Sequence, residues 1–133
     1  MNTAFVILGS VFVFIAAVIH VLIFFLESVL WTKPSTWKRF GLTTQAEADT
    51  VRPMAFNQGF YNLFLAIGVG IGLIMIGGNV PGGVEIALFS AASMVAAATV
   101  LIVSSPKLAR AAALQGVAPL LGIVFLVLAL VTA

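Results

Sequence analysis

Four long apolar runs, separated by three polar breaks, divide the chain. The first covers residues 3–30 and is interrupted only by Ser10, His20, Glu27 and Ser28; the others cover residues 53–76, 84–103 and 108–131. Each run supplies the ~20 residues of helix that cross a ~30 Å hydrocarbon core. The pattern predicts an all-α fold, a polytopic four-helix transmembrane bundle forming a single domain over residues 1–133. A retained first helix is expected rather than a signal peptide. Met1-Asn2-Thr3 has no basic residue, and the run exceeds the ~7–15 residues of a signal core.

The first break, residues 31–52, holds Lys33, Lys38, Arg39, Glu47, Asp49 and Arg52. Trp31 and Trp37 are expected at the headgroup level, with one edge of each ring wet. Pro34-Ser35 can open a short interfacial helix ending near Gly41. Thr44-Gln45-Ala46-Glu47 has the spacing of a capping box, so the second long helix is expected to begin before the bilayer. Pro53 then removes one backbone donor, frees the Asp49 carbonyl and predicts a bend. The second break is the glycine-rich turn of residues 77–83, and Ser104-Ser105-Pro106 is the third. Gly68, Gly70 and Gly72, with the alanines of the third run, read as close packing or as small-residue faces for oligomer contacts. Pro119 lies inside the fourth run and displaces the hydrogen bond to the Gln115 carbonyl.

Composition turns this pattern into a class. With 62% hydrophobic and 8% charged residues and a mean hydropathy of +1.25, the chain lacks the polar surface of a soluble globule of its size. The expected partner is the lipid bilayer, and nothing in the pattern points to nucleic acid. The absence of cysteine excludes disulfides and thiolate-bound metal. All six basic residues lie in or beside the first and third breaks, and none lies in the second. The positive-inside rule then predicts a multi-pass protein of the cell's inner membrane, with the basic connections cytoplasmic and both termini outside.

Candidate chemistry lies in the polar residues inside the spans. His20 and Glu27 are seven apart, two helical turns, and so share a face that Phe24 and Trp31 continue. Asn57, Gln58, Tyr61 and Asn62 crowd onto one broad side of the second span. At ~1.5 Å per residue from a shared boundary, Glu27 falls at the depth of Asn57 and Gln58, and His20 falls near Tyr61 and Asn62. Gln115 on the fourth span reaches the same level. An ionisable group in the bilayer costs about 2.5–3.5 kcal/mol and marks a functional-site hypothesis. The reading is a cytoplasm-facing pocket lined by His20, Glu27, Asn57, Gln58, Tyr61, Asn62 and Gln115 that binds or carries a small molecule or lipid. In it Glu27 is the proton or cation site, and His20 relays protons or recognises the ligand.

Plainer readings stand beside it. Glu27 lies about one turn from the boundary and can serve as an anchor that reaches water or pairs with Arg52, Lys33 or Arg39. His20 can be a neutral ring bonded across to Asn62 or Tyr61. Two further functions remain open. One is an intramembrane enzyme in which His20 and Glu27 supply acid–base chemistry and Tyr61 with the amides stabilises an oxyanion. The other is a structural subunit whose polar cluster fixes helix register. No metal site and no cofactor is assigned.

The layout of His20, Glu27, Trp31 and Phe40-Gly41, followed by Asn57-Gln58-Gly59-Phe60-Tyr61-Asn62, resembles the small four-span bacterial membrane proteins catalogued as domain of unknown function thirteen-oh-four. The likeness covers essentially the whole chain. It implies a four-helix membrane fold with a shared polar site, and no activity.

Overall fold

The computed structural model describes residues 1–132. Four helices among them are long and apolar enough to cross a membrane. Helix α1 covers Thr3–Phe24 and continues as a π-helical turn, Phe25–Val29. Its start is fixed by Asn2, whose side-chain oxygen accepts from the Ala4 and Phe5 amides at 3.1 and 3.4 Å, satisfying donors that have no partner in the helix.

The first break contains less helix than its Pro34-Ser35 signal suggests. A single turn, α2 (Pro34–Trp37), runs into a 3-10 turn, Lys38–Phe40. Gly41 ends it at φ +82°, a left-handed conformation that suits glycine. Helix α3 spans Gln45–Gly77, with the expected capping box formed between Thr44 and Glu47. At 33 residues it is about 50 Å long, well beyond the ~30 Å core, and Pro53 is accommodated without ending it. Asn79 and Gly82, both at positive φ, shape the turn into α4 (Gly83–Ser104). A 3-10 turn, Pro106–Leu108, leads to α5 (Ala109–Val131), which carries Pro119 inside it.

The helices form an up-and-down ring. α1 packs on α3 and α5, α3 on α4, and α4 on α5. Glycine sets these approaches, as expected where lipid is as apolar as leucine and close backbone contact drives association. A Cβ on Gly9 would stand 2.7 Å from Leu126 Cγ, one on Gly72 2.7 Å from the Ala87 nitrogen, and one on Gly116 2.8 Å from Ala98 Cβ. Val13, Ala16, Val69, Ala87, Ala91, Met94 and Leu126 fill the centre. Large apolar side chains such as Phe14, Phe64, Ile74 and Phe89 face outward.

The two ends of the bundle differ. At one, Met1, the Asn79–Gly83 turn and Leu130 surround a cavity of about 300 Å³. At the other, Gly41 approaches Leu108 and Lys107, so the two basic connections meet. Trp31, Trp37, Ala48 and Ala55, with Phe40, Leu42 and Val51, form a second apolar cluster there. The expectation of wet tryptophans fails at this point. Both rings are buried, the Trp31 indole donates to the Ala48 carbonyl at 2.9 Å, and the Trp37 indole N–H has no partner among the described residues. The connection folds back over the rings and takes the place of water.

Candidate functional site

The site is built on the π-helical turn. There the Leu30 amide reaches back five residues to the Phe25 carbonyl at 2.8 Å, which widens the helix and lets it lie directly on α3. Such bulges are frequent at functional positions. The Ser28 hydroxyl donates to the Phe56 carbonyl on α3 at 2.8 Å. Gly59 makes the approach possible, since a Cβ there would collide with Ser28 Oγ and stand 3.1 Å from both Glu27 Cβ and the Ser28 nitrogen. Along one side of this seam, Phe24 meets Phe60 edge to face with centroids 5.1 Å apart.

Glu27 points into the seam and is 4% exposed. Its Oε2 accepts from the Asn62 amide at 3.0 Å, and the same Asn62 nitrogen donates to the Gln58 carbonyl at 3.0 Å. The second bond fixes the side chain that makes the first. No basic side chain pairs with Glu27 among the described residues, and Asn62 is the side-chain donor it has. The anchor reading, with Glu27 paired to Lys33, Arg39 or Arg52, therefore does not describe this geometry.

His20 is 1% exposed. Its Nδ1 lies 2.8 Å from the Ala16 carbonyl of its own helix, not against Asn62 or Tyr61. A carbonyl only accepts, so Nδ1 carries the proton, and a neutral ring presents Nε2 as an acceptor. Gly122 meets Val13 on α1, and Leu126 meets Gly9. Carrying this antiparallel register two turns further along brings Gln115 level with His20. Gln115 is half-buried.

The seven predicted residues do not all converge. Glu27 and Asn62 meet, His20 is buried on the same helix as Glu27, and Gln115 shares its depth. Asn57 and Gln58 are exposed, and Tyr61 is 65% exposed, so these three line no common pocket with Glu27. The cause is the packing face of α3. Ala55, Gly59, Ala66 and Val69 turn inward and bring Asn62 with them, while Tyr61, about 100° away, turns out. Tyr61 and the amides of Asn57 and Gln58, the groups expected to stabilise an oxyanion, thus lie on the outer side of α3, away from the Glu27 carboxyl group. Cavities occur at the Met1 end, between α4 and α5, and between α1 and α5, and none of these three is lined by His20, Glu27 or Asn62. Among the described residues, no three His, Asp or Glu side chains are grouped to hold a metal ion.

Sequence reasoning passed over two contributors, Ser28 and Gly59. Ser28 interrupts an apolar run directly beside Glu27, and Gly59 sits at the centre of the amide motif. Both signals were present, but their meaning depends on the π-turn, which no local pattern announces.

No curated protein and no solved structure matches the chain. Residues 14–127 match the family described as Protein of unknown function (DUF1304), and the chain belongs to that family.

Proposed function

We propose that this is a multi-pass membrane protein whose α1–α3 seam binds a small molecule or lipid headgroup bearing a hydrogen-bond donor or a positive charge. The observation that carries the reading is Glu27, a buried carboxyl group with one oxygen held by Asn62 and, among the described residues, no cation paired with it. The other carboxyl oxygen has no hydrogen bond among the described residues and, unlike the Trp37 indole nitrogen, is not sealed off, so a donor from outside the chain can reach and complete it. His20, two turns along α1, offers Nε2 as a further acceptor and a site for relaying a proton. The charge asymmetry of the two ends supports placing the Glu27 end, with the α2 turn at the interface, toward the cytoplasm.

Mass spectrometry of small molecules and lipids that co-purify with the protein tests the reading. A species retained by the native chain and lost from Glu27→Gln, with the helical circular dichroism unchanged, is the expected result. Equal retention by both proteins would refute it.

One observation favours a second reading. The Glu27–Asn62 contact and the Ser28–Phe56 bond close α1 directly on α3, as a purely register-fixing cluster in a structural subunit would. On that reading nothing is retained, and Glu27→Gln changes only bundle stability.

A further inference from the structure

A groove of about 490 Å³ runs on the outer side of the bundle between α1 and α5, away from the Glu27 seam. On α5 it follows Arg110, Ala113, Val117 and Leu121, and on α1 it is closed by Phe12 and Ile15. These α5 positions, spaced by three or four residues, form one stripe of the helix. From Arg110 to Leu121 the stripe rises about 16 Å, close to half of the ~30 Å hydrocarbon core. The groove is therefore as long as the acyl region of one leaflet and carries a guanidinium at its outer end.

Among the described residues, no carboxylate pairs with that guanidinium. Glu27 is engaged with Asn62, Glu47 with Thr43 and Thr44, and Asp49 with Gln45. Glu85 is in the first turn of α4, at the opposite end of the bundle. Lys107, in the turn before α5, lies against Gly41 of the other basic connection and is not part of the groove wall. Apolar walls one leaflet long, ending in uncompensated positive charge at the level where headgroups begin, complement one kind of molecule.

We propose that the α1–α5 groove is a binding site for an anionic phospholipid, with an acyl chain along Ala113, Val117 and Leu121 and the phosphate on Arg110. Arginine suits this role because its planar fork donates two parallel bonds to phosphate oxygens. A zwitterionic lipid presents the same phosphate, but its ammonium group is repelled by Arg110. Selectivity thus comes from charge, and retention comes from the groove.

The test uses the full chain in a neutral detergent, titrated with equal amounts of dioleoyl phosphatidylglycerol and dioleoyl phosphatidylcholine and read by native mass spectrometry. The native protein should retain phosphatidylglycerol about fivefold over phosphatidylcholine, the factor expected for one basic side chain at a membrane surface. Arg110→Gln should bring the ratio close to one, and Arg110→Lys should keep most of it. Ala113→Phe, which fills the groove from an exposed position, should reduce retention of both lipids. Lys38→Gln, on the other basic connection, should leave the ratio unchanged. Equal retention of the two lipids by the native protein, an unchanged ratio in Arg110→Gln, or an equal loss in Lys38→Gln would each overturn the proposal. Unchanged retention in Ala113→Phe would overturn the groove as the acyl site.

Discussion

Gly59→Ala is the substitution whose outcome follows most directly from the geometry. In an unobstructed helix, glycine to alanine stabilises by at most about 1 kcal/mol. Here the added methyl group meets Ser28 Oγ and lies 3.1 Å from Glu27 Cβ and from the Ser28 nitrogen. Two of these three atoms cannot rotate away, so α1 and α3 must separate. Overpacking of this kind costs about 1–3 kcal/mol, and loss of the Ser28–Phe56 bond adds about 0.6 kcal/mol. The net expectation is a destabilisation of about 1–2 kcal/mol. Gly70 provides the control on the same helix, because a Cβ there meets nothing within 4 Å. Gly70→Ala should be neutral or stabilising by up to about 1 kcal/mol. Denaturing-detergent titration followed by the fluorescence of Trp31 and Trp37 measures both. Combining Gly59→Ala with Ser28→Ala removes the nearest obstacle, so the double variant should be more stable than the sum of its parts. If Gly59→Ala proved as stable as Gly70→Ala, the close approach at the π-turn would be refuted.

Further expectations follow from individual contacts. Asn62→Ala removes the donor to Glu27 and should cost about 1–3 kcal/mol, whereas Tyr61→Phe, on an exposed ring, should stay within about 0.5 kcal/mol in the same titration. Thr44→Ala removes the capping-box oxygen that accepts from the Glu47 amide at 3.2 Å and should cost about 1 kcal/mol. Cysteines placed at Ser35 and Gly78 should label from opposite faces of a sealed vesicle, with Ser35 on the cytoplasmic side; labelling of both from one face would contradict the four-span topology.

Helix existence was legible because apolar run length alone decides it in a membrane chain. The capping box was legible for the same local reason, Thr44 and Glu47 being three residues apart. The inward face of α3 was harder to read. Amides were expected to turn together toward a partner, yet a membrane bundle has no hydrophobic force to orient a span, and its small residues decide the contact. Ala55, Gly59 and Ala66 therefore chose the face, carrying Asn62 in and leaving Asn57 and Tyr61 out. Depth matching brought the right helices together but set Glu27 level with Asn57 and Gln58 and gave Asn62 to His20; the Glu27–Asn62 bond lies about one turn further along α3. The burial of Trp31 and Trp37 was not legible, because it depends on how residues 31–44 fold back over the bundle.

The central claim is that Glu27 receives a donor from a molecule outside the chain. A crystal structure of protein extracted with its native lipids and grown in a lipidic mesophase, determined for the native chain and for Glu27→Gln, tests it most directly. The account predicts non-protein density within hydrogen-bond distance of the Glu27 carboxyl group between α1 and α3, absent from the variant. A native structure in which Glu27 meets only Asn62 and the π-turn closes on α3 with no such density would contradict it.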